Sequence, residues 1–222
     1  MSVAENIDKI KATLPAHVQL VAVSKTKPAE LILEAYNHGQ RIFGENKVQE
    51  MVGKYESLPK DIEWHFIGHL QSNKIKYMIP FVHLIHGVDS FKLLKSIDAE
   101  AKKAGRVISC LLQFHIAEEE TKFGLSIEEA MEILGSEDFK LLNNVRIAGV
   151  MGMATYTEDE QQVRKEFALL KVYFNKLKSN FIVDDPGFKE ISMGMSGDYL
   201  IAIAEGSTMI RIGSNIFGER NY

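Results

Sequence analysis

Val-Ala-Val-Ser-Lys-Thr-Lys-Pro, residues 21–28, decides how this chain is read. Val21, Ala22 and Val23 form a short apolar run with two β-branched members, the pattern of a strand buried on both faces. Pro28 suits the first turn of a helix, where its missing N–H leaves no bond unmade. Lys25 therefore sits where a core strand passes into a helix. In a barrel of alternating strands and helices, that handover lies on the rim where the chemistry is done. An amine at a partly dry rim loses solvation for its charged form, so its pKa falls and it can condense with an aldehyde or ketone. Position alone leaves Lys25 as one of 26 Lys and Arg residues, most of which belong in solvent. Lys27 reads as a solvated residue of the first helical turn.

The pattern repeats on either side. Val3, Ile7, Ile10 and Leu14 mark one face of an opening helix that Pro15 stops. The strands read as Leu20–Ser24, Arg41–Phe43, Glu63–Ile67, Val82–Ile85, Val107–Phe114, Val145–Val150, Lys189–Met193 and Met209–Ile212. Helical spacing fills the gaps between them: Leu31, Ile32 and Ala35; then Val48, Met51, Val52 and Tyr55; then about Ser72–Met78. Leu93, Leu94, Ile97 and Ala101 follow, capped by Asp89 or Ser90. Ser126 and Glu129 have capping-box spacing. Thr157 caps a long helix bearing Val163, Phe167, Leu170, Phe174 and Leu177, and Ser196 caps the helix that Gly206 ends. Gly39 and Gly105 are further C-terminal stops. Strict alternation predicts a parallel sheet with helical crossovers, and eight units predict a closed barrel. An open doubly wound sheet is the competing architecture.

The 222 residues are 45% hydrophobic and carry a formal charge of −4. Such a chain buries a real core and offers no basic groove for nucleic acid and no polybasic membrane patch. No apolar stretch reaches the ~20 residues of a membrane-spanning helix, and Met1–Lys11 is no signal peptide. Cys110, the single cysteine, lies in an apolar run and reads as a small buried hydrophobe.

Two glycine-containing segments follow the last two strands: Ser192-Met-Gly-Met-Ser-Gly-Asp198 and Arg211-Ile-Gly-Ser-Asn215. Exposed backbone N–H groups and close approach at glycine suit a phosphate, and barrels often place one after strands seven and eight. Ser196 and Ser214 add hydroxyl donors. Ile210 and Ile212 flank Arg211, so alternation sends it to the opposite side of the sheet. A buried arginine there needs a partner: a carboxylate such as Glu190, or a ligand.

Five stretches in order carry a resemblance. They are residues 21–28, Phe-Gly-Glu-Asn-Lys-Val-Gln-Glu (43–50), Trp-His-Phe-Ile-Gly-His-Leu-Gln-Ser-Asn-Lys (64–74), Ser-Met-Gly-Met-Ser-Gly-Asp (192–198) and Arg-Ile-Gly-Ser-Asn-Ile-Phe-Gly (211–218). From about Val21 to Arg220 the chain resembles the pyridoxal phosphate homeostasis protein family, small proteins similar to the barrel domain of bacterial alanine racemase. The resemblance implies a (β/α)8 TIM-type barrel with an extra N-terminal helix, and the lack of a linker, low-complexity segment or composition shift reads residues 1–222 as one domain. It implies pyridoxal 5′-phosphate held as an internal aldimine on Lys25. Ser196, Gly213 and Ser214 match the phosphate cup, with Met195 beside it; Arg211 matches the arginine facing the pyridine nitrogen, and Asn46 the polar residue near the ring. Lys122 is a candidate second amine rather than a site. Lys47 stands where an aromatic residue is common.

The implied role is vitamin B6 homeostasis in the cytoplasm, by a monomer, with apo pyridoxal-phosphate enzymes as candidate partners. Alanine racemase draws a catalytic tyrosine from a second domain for which this chain has no room, and Lys25 has no evident opposing acid or base. A carrier is therefore expected over a catalyst. A low-activity amino-acid racemase, and a barrel aldolase or isomerase with a Schiff-base lysine, are the rival readings. His65 and His69 are four apart and His83 and His86 three apart, but without helical context that spacing assigns no metal.

Overall fold

The computed structural model describes residues 2–119, 123–183 and 185–219. Helix α1 (Val3–Lys11) precedes β1 (Gln19–Val23), and strands and helices then alternate. In order they are α2 (Ala29–Asn37), β2 (Ile42–Glu45), α3 (Val48–Ser57) and β3 (Glu63–Phe66). A single 3-10 turn and α4 (Ile75–Met78) lead to β4 (Val82–Val88), α5 (Phe91–Lys103) and β5 (Ile108–Gln113). Then come α6 (Ile127–Gly135), α7 (Glu137–Lys140), β6 (Val145–Met151) and α8 (Glu160–Asn180). β7 (Glu190–Ser192), α9 (Tyr199–Ala204), β8 (Met209–Ile212) and α10 (Ser214–Phe217) complete the order.

All eight strands are parallel, and β1 pairs with both β2 and β8, closing the barrel. Closure removes both sheet edges and gives every strand two apolar faces to bury. Most of the core lies outside the barrel wall, where Phe43, Trp64, Ile85, Ile191 and Ile210 meet helical residues such as Ile32, Ile97 and Phe167. At about 1.5–3 kcal/mol for each large apolar side chain buried, this outer layer supplies most of the stabilisation. Inside is a small cluster of Val21, Leu84, Leu111, Ala148, Met151 and Met209. The rest of the interior includes buried polar groups, namely His65, His86, Ser192 and Arg211.

Local chemistry sets most boundaries. Gly39, Gly105 and Gly206 follow helices with φ of +90°, +64° and +95°, which glycine alone adopts cheaply. Ser126 and Glu129 form the expected capping box, and Ser90 rather than Asp89 caps α5. Two expected caps differ. Asp159, not Thr157, accepts from the N–H groups of Gln161 and Gln162 at the head of α8. Helix α9 begins after Asp198, so Ser196 belongs to the preceding turn. In both places an acidic residue lies nearer the first helical turn than the hydroxyl does. β2 begins at Ile42 and runs through Gly44 and Glu45, two residues past Phe43, where the sequence pattern ends it. Among the described residues no helix is long and apolar enough to cross a membrane.

Candidate functional site at the open end of the barrel

A cavity of about 590 Å³ opens where the strands end. Its lining comes from the segments after β1, β3, β6, β7 and β8, the rim of a parallel barrel that is built from strand-to-helix loops. Lys25, Met195, Ser196, Arg211, Gly213 and Ser214 all line it. Asn46, half-buried after β2, is not among the lining residues; its backbone packs against Gly68, where a Cβ would collide with it. Lys122 lies outside the described residues.

Lys25 is held by its neighbours' backbone. Ser24 N–H donates to Gly44 O (3.1 Å) and Lys27 N–H to Ser24 O (3.0 Å), tying the turn to the strand ends. Thr26 has φ of +63°, a costly conformation for a β-branched residue. A buried charge cluster over-determines it. Thr26 N–H donates to Glu50 Oε1 (2.6 Å), and Ser24 Oγ donates to Glu45 Oε1 (2.6 Å). Lys54 Nζ reaches Ser24 O (2.8 Å) and one oxygen each of Glu45 and Glu50 (2.7 Å). Burial raises the Glu45 carboxyl above its ordinary pKa, with Lys54 pulling the other way. Lys27, read as solvated, donates to Glu219 O (2.7 Å) and lines the cavity.

The two glycine segments interlock. Arg211 N–H donates to Gly194 O (2.9 Å), and Asn215 Nδ2 donates to Ser196 O (3.2 Å). Gly194 has φ of +97°, and a Cβ there would stand 2.6 Å from that of Ala202. A Cβ on Gly213 would meet Val23 O at 3.1 Å, so glycine lets the β8 turn lie close against β1. An added Cβ on Gly197 would meet nothing within 4 Å, which leaves open space beside Ser196. Asp198 turns inward to accept from Met195 N–H (2.5 Å), and burial raises its pKa.

Arg211 points into the barrel, as alternation requires. Its Nη1 donates to Ser192 Oγ (2.6 Å) and its Nη2 to Gly152 O (3.1 Å). Glu190 is not its partner; that carboxylate accepts from Thr208 Oγ1 (2.8 Å). Burial lowers the guanidinium pKa to about 10, opposed by Asp198, so it stays charged at neutral pH. Ser192 Oγ also meets His86 Nδ1 (2.9 Å), and His86 Nε2 meets His65 Nδ1 (3.1 Å). Burial pushes both imidazoles below their ordinary pKa, His65 to about 3, and keeps them neutral.

The loop after β6 closes one side of the cavity with residues 153–157, of which the sequence singled out Thr157 alone, as a helix cap. Glu166 pins it, accepting from Thr155 N–H (2.7 Å) and Thr155 Oγ1 (2.8 Å) and from Glu118 N–H (3.0 Å). Tyr156 stands almost fully exposed at the mouth. A signal for these supports was present. Lys54 lies three residues after Met51 and Glu166 three after Val163, so each charge falls on the buried face of its helix.

The donor set is cationic on balance, with Lys25, Lys27 and Arg211 against Asp198, and two serine hydroxyls beside backbone turns. It fits a ligand with an anion at one end and an electrophilic carbonyl within reach of an amine. The fold and cavity thus define a parallel barrel protein with a lysine and an anion cup on one rim.

The family model described as alanine racemase, N-terminal domain, matches residues 1–221. The pyridoxal phosphate homeostasis protein of Aquifex aeolicus is 42% identical over 92% of this chain and 88% of its own length. The solved structure of PipY from Synechococcus elongatus, with PLP bound, matches with a TM-score of 0.88 at 36% identity, covering 98% of this chain and 100% of that one. The chain belongs to the pyridoxal phosphate homeostasis protein family, within the alanine racemase N-terminal-domain fold. Alanine racemase of Clostridium difficile shares the fold, with a TM-score of 0.82 at 15% identity over 100% of this chain and 60% of that one.

Proposed function

We propose that this protein binds pyridoxal 5′-phosphate in the open-end cavity and serves its homeostasis as a carrier. The observation that supports this most is the convergence of Lys25, Arg211 and the two Ser-Gly turns on one cavity. Bound pyridoxal phosphate supplies an aldehyde that condenses with a primary amine, releasing water. Lys25 is the amine in reach. Ser196, Gly213 and Ser214 hold the phosphate, with Met195 packed beside them. Arg211 faces the ring nitrogen, and Asn46 acts from outside the lining, through the backbone of its turn. A guanidinium has no lone pair with which to take up a proton, so it keeps the pyridine unprotonated. That suits storage of a reactive aldehyde better than carbanion chemistry. The recipients on this reading are apo pyridoxal-phosphate enzymes of the cytoplasm, and the barrel works as a monomer.

The test is the visible spectrum of the purified protein before and after borohydride, with the mass of the reduced chain. A yellow band that reduction bleaches, with one cofactor mass fixed on the Lys25 peptide and none in Lys25→Ala, is expected. A protein that stays colourless with added pyridoxal phosphate, or a Lys25→Ala variant that keeps the reducible band, overturns the reading.

A further inference from the structure

A second cavity, of about 430 Å³, opens at the opposite end of the barrel, among the first residues of the strands. Glu63, His65 and His83 line it, and one ligand atom from each lies within 4.8 Å of the other two. His65 is the fixed member. Its ring is buried, and Nδ1 is engaged with His86 at 3.1 Å. Its Nε2 is shielded from solvent and has no hydrogen-bond partner. A buried polar atom without a partner costs about 1–3 kcal/mol, so it asks for an explanation.

The other two members are adjustable. His83 Nε2 lies 3.7 Å from Glu63 Oε2, with the two side chains 55% and 45% exposed. The His83 ring stacks on His65, with centroids 5.5 Å apart and planes within 12°. The ladder explains how they meet. Trp64 pairs with Val82 but His65 with Leu84, so His83 is the extra residue of a bulge. Bulges re-aim a side chain, and here the one redirected falls against His65.

We propose that Glu63, His65 and His83 form a binding site for a divalent first-row cation of the Zn2+ class. Two imidazoles and a carboxylate are the donor set such ions take, with water from the cavity filling the remaining position. Tetrahedral ligands at about 2.0–2.1 Å stand roughly 3.3 Å apart. The partly exposed Glu63 and His83 reach that distance by rotating, His83 turning out of its stack so that its ring nitrogen and that of His65 converge on the ion. The ion takes Nε2 of His65. Nδ1 then carries the ring proton and donates to His86 Nε2, and His86 Nδ1–H donates to Ser192 Oγ. The hydrogen bond at each step is already in place. The bound ion thereby sets the donor direction of a chain that ends on Arg211.

The test uses the untagged full-length protein and ZnCl2 alone, followed by calorimetry and by metal content after dialysis. Co2+ absorption reports the geometry, and 15N histidine NMR reports the His65 tautomer. One ion per chain is expected. His83→Ala and Glu63→Gln, both at partly exposed positions that leave the core intact, should each weaken binding by roughly tenfold or more. His38→Ala and His69→Ala, at exposed histidines paired with Asp8 and Asp89 elsewhere, should leave it unchanged. No binding at micromolar Zn2+, or binding that survives both His83→Ala and Glu63→Gln, overturns the site. So does binding that falls with His38→Ala or His69→Ala instead.

Discussion

The two ends of the barrel are built in different ways. At the open end the backbone does most of the shaping: a strained Thr26 turn, a positive-φ Gly194, and a glycine at 213 that admits a close approach to β1. The groups that face the cavity there come from short consecutive segments. At the opposite end the lining comes from the strands themselves, with register shifts at His83 and Ala148, and the chemistry comes from side chains on two neighbouring strands. Between them runs Arg211–Ser192–His86–His65, a buried hydrogen-bonded line where barrels of this kind usually pack branched aliphatic residues. The difference teaches that one scaffold can separate a site made of loops from a site made of strands while joining them through its axis.

That comparison can be broken. The largest effect on stability is expected at the support under the open end. Lys54→Met leaves Glu45 buried with its main counter-charge gone, and should cost about 3–5 kcal/mol at pH 7. The sign with pH follows from the raised Glu45 pKa. The stability this group contributes is complete below the ordinary value of 4.5 and is lost as pH rises through the raised value. Without Lys54 the loss deepens, so the gap between variant and wild type should narrow from pH 7 to pH 4. Urea midpoints at the two pH values measure it, and a constant gap would mean that Glu45 is not charged against Lys54. The same variant should retain pyridoxal phosphate less well, because the Ser24–Thr26 turn loses its clamp.

A smaller effect is expected where the two ends meet. Arg211→Met leaves Gly152 O without its donor and Ser192 Oγ with His86 alone, and should cost about 1–3 kcal/mol in denaturation. It should weaken cofactor binding at the open end and leave Zn2+ binding at the opposite end in place. Loss of both would show that the axis couples affinities and not only proton positions. The smallest effect is expected at a residue that lines neither cavity. Ser126→Ala removes the α6 cap, should cost about 1 kcal/mol, and should change neither the visible spectrum nor metal content.

The sequence by itself determined the alternation, and the pairing of β1 with β8 closed it into a barrel instead of an open sheet. Eight apolar runs, each separated by helical spacing, admit few other burial schemes, and the strand positions follow within a few residues. It also determined most of the open-end site. Lys25, Ser196, Arg211, Gly213 and Ser214 sit in consecutive motifs beside strand ends, so local order and spatial order coincide there. Alternation put Arg211 on the side of the sheet opposite Ile210 and Ile212, and the structure packs those two outward. Only the tertiary structure decided the rest. The partner of Arg211 is Ser192 and not Glu190. Lys54 reaches past its own helix to Ser24, thirty residues away. Asn46 stands outside the cavity its motif suggests. The histidines pair as His65 with His83 and His65 with His86, not as sequence spacing pairs them. In each case the deciding quantity is register between strands or reach across a helix face. Neither is carried by a local pattern, because both depend on how separate segments settle against one another to fill the same volume.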